Sequence, residues 1–217
     1  AGPRTPTFDR GAPIVLPLLR RMGIHRLDAL LVTHAHSDHL GGVPAILRGM
    51  EVGEVIDADP GARSALYQEY LRLIDSLQLR RTVVRAGSAL ALSATVRCYV
   101  LHPAEERETE TLNNQSVVLK VCYGRTSALL AGDAEWEAEE RITLRYGPFL
   151  HSDLLKVGHH GSNTSSSPVM LAAVRPAFAV VSVGANNTFH HPSPVTLRRL
   201  AEGRCACFRT DEQGAVI

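Results

Sequence analysis

The stretch Leu30-Leu31-Val32-Thr33-His34-Ala35-His36-Ser37-Asp38-His39-Leu40-Gly41-Gly42 constrains this chain more than any other. An apolar run that reads as a buried strand is followed at once by four side chains able to bind a metal, within six residues. His34 and His36 are two apart, so in an extended segment both rings point the same way. Asp38 and His39 follow at a turn. The spacing predicts two adjacent metal ions, or one ion beside a positioned carboxylate, at the C-terminal end of a strand. Imidazole with carboxylate suits zinc, manganese or iron, and the lack of thiolate argues against a closed structural zinc site. Gly41-Gly42 lets backbone approach closely at the end of the motif.

A chain of 217 residues that is 45% apolar has material for one sizeable domain or two small ones. Its formal net charge of +1 gives no global field, so composition does not by itself nominate nucleic acid as a partner. Locally there are basic doublets at Arg20-Arg21, Arg80-Arg81 with Arg85, and Arg198-Arg199 with Arg204. They read either as solvated faces or as a phosphate-tracking groove. No apolar run approaches the roughly twenty residues of a membrane span, and nothing reads as a signal peptide. Cys98, Cys122, Cys205 and Cys207 form no C-x-x-C pair and sit in apolar alternating runs, as small core residues do. Cys98 and Cys122 fall in strands that can be neighbours, which leaves a disulfide open.

In order, residues 1–13 read as a Pro- and Gly-rich loop and Ile14 to Arg21 as a short helix with Leu16, Leu19 and Met22 as core contacts. Leu27 to Thr33 is the strand that feeds the motif. Pro44 begins a short helix through Arg48, and Glu51 to Asp57 reads as a parallel strand. Leu66, Tyr70, Leu73, Ile74 and Leu77 mark one face of a helix over 61–79. Strands are expected over 82–85, 94–101, 116–123 and 126–131, with Tyr123-Gly124-Arg125 making a hairpin of the last two. The acid-rich run from Glu135 opens a helix. Strands over 153–158, 177–183 and 204–209 then alternate with helices over 168–174, capped by the preceding serines, and 194–202. Strands interleaved with helices and no break in composition predict one layered α/β domain over 1–217.

Polar residues at the ends of apolar strands are the informative ones, because ligands of α/β sheets gather there. Asp133 ends Leu129-Leu130-Ala131-Gly132. His159-His160-Gly161-Ser162 ends Leu154-Leu155-Lys156-Val157-Gly158, and Asn186-Asn187-Thr188-Phe189-His190-His191-Pro192 follows Val180-Val181-Ser182-Val183. Asn113-Asn114-Gln115-Ser116 opens another strand. Seven of the ten histidines lie in three such segments. His102 is a further strand-end histidine of less definite role, while His25 and His151 read as surface residues.

The combined pattern resembles the metallo-β-lactamase fold superfamily, through His34-x-His36-x-Asp38-His39 and Gly132-Asp133. More narrowly it is similar to the C-terminal hydrolase domain of the ComEC family of competence DNA-uptake proteins. LLAGD (129–133), LLKVGHHGSNTSSS (154–167), SVGANNTFHHPSP (182–194) and NNQSVVL (113–119) carry that resemblance. It implies an αββα sandwich, with two mixed sheets between helices. It implies His34 and His36 as ligands of one metal position, Asp38 and His39 as ligands of a second, and Asp133 as the bridge. His191 is the choice for the last second-site ligand, with His159 and His160 competing for it. The superfamily's third histidine of the first site is replaced here by Asn113 and Asn114, so that site is expected to bind loosely or to prefer manganese to zinc. A D-x-G-Q-G-D-type hairpin, usual in the family, does not precede the motif, which points to an N-terminally truncated domain.

The resemblance implies metal-assisted hydrolysis of a phosphodiester with one or two divalent ions, Mn2+ or Zn2+. Asp38 orients the attacking water as well as binding metal, and His160 serves the leaving oxygen. Asn114, His159, Ser162 and His190 are expected to touch substrate or to support the ligands. DNA is the implied substrate, the non-imported strand being degraded during uptake. The domain would then be an extracytoplasmic part of a membrane channel that does not itself enter the bilayer. The same fold acting on a small or cell-wall phosphoester, and a non-catalytic metal- or DNA-binding module, are the alternatives.

Overall fold

The computed structural model describes residues 9–104 and 111–216. The chain divides into two compact units, one ending at Val84 and the other beginning at Arg85. Residues 1–8 of the expected N-terminal loop lie outside the described residues.

In the first unit a π-helical turn, Gly11–Val15, runs straight into α1 (Leu16–Arg21), so helix begins earlier than expected. A Cβ at Gly11 would strike the carbonyl of Gly42, so the close backbone approach foreseen at Gly41-Gly42 is made with Gly11. β1 (Arg26–Leu31) leads through α2 (Ser37–Leu40) and α3 (Val43–Gly49) to β2 (Glu51–Asp57). From there α4 (Ala65–Ser76) crosses to β3 (Arg80–Val83). The three strands form a wholly parallel sheet in the order β1-β2-β3, with Leu30 opposite Val55 and Ile56 opposite Thr82. Two sheets were expected to be mixed; among the described residues this one is parallel. Every connection between its strands is a helical crossover, and crossovers return the chain parallel. Leu40, Val43, Leu47, Val52, Val55, Tyr70 and Ile74 make its core.

α4 is shorter at both ends than its apolar spacing predicts. Ser64 caps it by accepting from the Tyr67 N–H at 3.2 Å, and Gln78 has already turned left-handed (φ 51°) at the other end. Leu77 and Met22 are consequently exposed rather than in the core, each having its place at the helix boundary. Behind α4, buried Asp57 takes a bidentate ion pair from Arg81 (2.8 and 2.9 Å) and the Tyr70 hydroxyl. Arg81 also reaches Asp59 and the Tyr67 oxygen, both at 2.9 Å. This basic residue is thus a tie between β2, β3 and α4 and not part of a phosphate groove. Burial among carboxylates pushes the Tyr67 and Tyr70 hydroxyls well above the usual phenol range.

The second unit holds β4 (Ala89–Ala91), β5 (Val96–His102), β6 (Val118–Tyr123), β7 (Thr126–Leu130) and α5 (Trp136–Tyr146). It continues with β8 (Leu154–Lys156), α6 (Pro168–Val174), β9 (Phe178–Val181), α7 (Pro194–Glu202), β10 (Ala206–Arg209) and α8 (Thr210–Gln213). Its seven strands run β10-β9-β8-β7-β6-β5-β4, parallel from β10 to β7 and antiparallel from β7 to β4. The expected hairpin closes with Tyr123 opposite Thr126. β4 went unforeseen, since Ala-Leu-Ala is too short to carry a pattern. Cys98 pairs with Val121 and Cys122 with Arg97, one register step apart, so the two thiols face opposite sides of the sheet. All four cysteines are free. Leu101, Val118, Leu129, Ile142, Leu155, Val157, Met170, Ala179, Val181 and Leu200 fill the core.

Buried Glu139 on α5 accepts from the N–H groups of Ser166 (2.6 Å) and Ser167 (2.8 Å), fixing the chain as it enters α6. Burial raises its carboxyl pKa, and these hydrogen bonds act in the opposite direction. Glu139→Ala strands two N–H groups and is expected to cost about 2–4 kcal/mol in urea unfolding. The native state holds the Glu139 proton to higher pH than the unfolded chain does. This group's contribution to stability therefore falls as pH rises from the ordinary carboxylate pKa through the raised one, and Glu139→Gln should remove that slope.

Candidate functional site

In the first unit the ligand-type residues hang from the end of β1. Val32 keeps extended pairing through its N–H to the Ile56 carbonyl (2.8 Å), after which the chain turns at His36 into α2. Fully buried Leu40 anchors that helix to the core. The result gathers three rings: His34 Nε2 lies 3.1 Å from His36 Nδ1, and the His34 and His39 ring centroids are 4.2 Å apart. Asp38 Oδ2 lies 3.7 Å from His39 Nε2. Two nitrogens bound to one ion at about 2.1 Å stand about 3.0–3.4 Å apart, so the His34–His36 spacing fits a shared ion. His34 is buried, and every donor in the set is imidazole or carboxylate.

Thr33, which the sequence pattern did not single out, sits beneath these rings. Its hydroxyl lies 3.2 Å from His34 Nδ1 and 3.1 Å from His39 Nδ1. The oxygen can accept from both Nδ1–H groups, which leaves both Nε2 atoms as lone-pair donors. Support of this kind sets the tautomer and the ring orientation of a ligating histidine.

In the second unit the strand ends β7, β8 and β9 converge. Asp133, buried, donates its N–H to Ser116 Oγ at 3.0 Å. The preceding Gly132 carbonyl accepts from the His159 N–H (3.1 Å) and Lys156 Nζ (3.4 Å), tying the two loops together. His160 Nδ1 lies 2.7 Å from the Ser182 carbonyl, which can only accept, so Nδ1 carries the proton. The Nε2 lone pair then faces Asp133 Oδ2 at 3.5 Å. His159 Nδ1 meets Glu135 Oε1 at 3.2 Å, and the His159 and His191 centroids are 5.6 Å apart. Burial, and then repulsion from His159 and His160, lowers the His191 pKa and keeps the ring in the neutral form that binds metals.

The turn that carries His159 and His160 is strained. Both have left-handed φ (43° and 52°), a conformation that costs of order 1–3 kcal/mol at a non-glycine residue. Gly161 lets the turn close: its φ is +83°, and a Cβ there would come within 2.6 Å of Pro192 Cβ. The Ser193 N–H to the Gly161 carbonyl (2.8 Å) completes the contact between this loop and the His190-His191 segment. Ser162 is buried, its hydroxyl lying 3.0 Å from Thr164 Oγ1, so it supports the loop from within. His190 is exposed.

Asn114 is held at both ends of its amide: Oδ1 accepts from the Glu135 N–H (2.8 Å) and Nδ2 donates to Glu137 Oε2 (3.1 Å). It is a tie between the β6 entry and the α5 start. His102 has the same purpose, its buried Nε2 donating to the Asn114 carbonyl at 2.5 Å. Glu135 and the Ser182 carbonyl were unread in the sequence; nothing local marks a residue whose partner lies twenty positions or more away.

The beta-lactamase superfamily domain matches residues 5–157. The chain belongs to that superfamily. It is 31% identical to ComE operon protein 3 of Bacillus subtilis over 96% of this chain and 26% of that protein. It is 33% identical to competence protein ComA of Neisseria gonorrhoeae over 93% of this chain and 26% of that protein. These relatives are ComEC-family competence proteins, and the chain spans about a quarter of their length. Among solved structures, CmlA, a diiron β-hydroxylase from Streptomyces venezuelae, superposes with a TM-score of 0.58 at 16% identity, covering 85% of this chain and 44% of that one. The fold is therefore metallo-β-lactamase-like, two sheets flanked by helices, and it is one that binds divalent metal. No described helix is long and apolar enough to cross a membrane.

Thr33→Val keeps the side-chain shape and removes the hydroxyl. It is expected to weaken divalent-metal affinity about 10-fold in calorimetric titration, with the circular dichroism spectrum unchanged.

Proposed function

We propose that this chain is a metal-dependent phosphodiesterase acting on DNA, the nuclease part of a competence DNA-uptake protein. Its assigned ligands are His34, His36, Asp38 and His39 in the first unit and Asp133 and His191 in the second. The observation that carries the reading is His160, whose Nδ1–H is fixed on the Ser182 carbonyl while its Nε2 faces Asp133 at 3.5 Å. A histidine so oriented holds or releases a proton at one atom only, as acid–base work on a leaving oxygen requires.

Divalent ions, manganese or zinc, held by these residues would supply Lewis-acid polarisation of the phosphoryl group and lower the pKa of a water. The chain's own residues do the rest. Asp38, next to His39 Nε2, orients the attacking water through its carboxylate. In its protonated form His160 delivers a proton from Nε2, the atom that faces Asp133, to the leaving oxygen. Asn114 and Ser162 hold the loops in register for these side chains. In the whole protein the domain would face the extracytoplasmic side beside the membrane channel, where it degrades the strand that is not imported.

The test is turnover of double-stranded DNA, single-stranded DNA and small phosphoesters against a series of divalent metals. Wild type is expected to cleave DNA only with metal. Asp38→Asn and His160→Ala are expected to lose 100-fold or more of kcat, on the order of what positioned acid–base groups supply. Full nuclease activity in Asp38→Asn would reject the role given to Asp38, and turnover confined to small phosphoesters would reject the DNA reading.

A further inference from the structure

The loop that carries His191 is built to push one aromatic ring into solvent. Asn187 closes it from both sides: Nδ2 donates to the carbonyls of Gly184 (3.0 Å) and His191 (2.7 Å), while Oδ1 accepts from the His191 N–H (2.9 Å). Asn186 and His190 both adopt left-handed φ (55° each), at a cost no glycine relieves. Between them Phe189 stands 77% exposed, among the most exposed large apolar residues described. The ring stacks on His191, with centroids 5.9 Å apart and planes at 21°, so it is oriented while it stays open to solvent. A lone exposed apolar residue ordinarily needs no explanation. One oriented by a stack, on a doubly stapled loop with two strained residues, is preorganised for a planar partner.

A second exposed aromatic follows the carboxylate that meets His159. Trp136, the chain's single tryptophan, is 46% exposed and follows Glu135, whose carboxylate is 3.2 Å from His159. The Arg199 guanidinium lies over the Trp136 ring at 5.0 Å, placing a positive charge beside it. Exposed aromatics with an adjacent cation are what single-stranded nucleic acid uses: bases stack on the rings and the backbone answers the charge.

We infer that Phe189 is a stacking platform for an unpaired base of a single-stranded polynucleotide substrate. This inference rests on the DNA reading above and names the form of DNA engaged. A duplex keeps its bases stacked on one another and offers no face to a ring at this loop, so an end or an unwound strand is required.

Binding separates this from the catalytic proposal. The full chain is titrated in EDTA with oligo-dT and with an abasic oligodeoxyribose phosphate of equal length. Anisotropy of a labelled strand and quenching of Trp136 fluorescence are both recorded. Wild type is expected to bind oligo-dT at least about tenfold tighter than the abasic strand. Phe189→Ala is expected to lose most of that preference with abasic binding unchanged, and Phe189→Tyr to retain it. Equal wild-type binding of the two strands, or undiminished oligo-dT preference in Phe189→Ala, overturns the inference. Absence of cleavage with any metal rejects the catalytic proposal and leaves the stacking result to be judged on binding.

Discussion

Parallel pairing of β7, β8 and β9 is the constraint on which the second unit's chemistry depends. Ala128, Leu154 and Phe178 share one level of the sheet, and Leu130, Lys156 and Val180 another. Three parallel strands in level register must end at one edge, so the residues just beyond each end are delivered to a common place. Asp133 and His159-His160 are those residues, and His191 is brought to His159 from further along the loop that follows β9. In the first unit the end of β1 presents His34 to His39 in the same manner, beside the end of β2 with its buried Asp57. Apolar packing within the strands thereby positions polar groups that none of the strands could hold alone.

Position is not enough for imidazole, which must also be in the right tautomer. The neighbours that bear on it are a hydroxyl at Thr33, a backbone carbonyl at Ser182 and another at Asn114. Each is an ordinary hydrogen bond of modest net worth; the two carbonyls, which can only accept, each remove one of two otherwise similar protonation states, and the Thr33 hydroxyl can support the matching one. Strain is concentrated in the same loops. Four of the nine left-handed non-glycine residues described are His159, His160, Asn186 and His190. Their cost is met by the Gly132 carbonyl hub, the Asn187 staple and the contact of Gly161 with Pro192.

Elements with local punctuation were legible in the sequence. α6 and α7 begin at Pro168 and Pro194 behind capping serines, and β2 runs from Glu51 to Asp57 as its apolar pattern indicates. Where the apolar pattern outruns its punctuation the helix does not follow it: α4 stops at Ser76 although Leu77 keeps the apolar spacing. Asn114 illustrates a different gap. Its place before β6 was legible as a departure from a histidine, but only the fold shows both ends of its amide already engaged. Arg81 likewise reads as half of a basic doublet and is instead the partner of two carboxylates.

By itself the sequence determined which residue types stand at strand ends, and hence the superfamily and the class of metal chemistry. Both follow from short-range order, an apolar run and the donors that succeed it. Only the tertiary structure decided which nitrogen of His160 faces Asp133, that Thr33 underlies His34 and His39, and that Phe189 is held outward. Those facts depend on atoms brought together from distant segments by packing and backbone hydrogen bonds, and no local pattern encodes them.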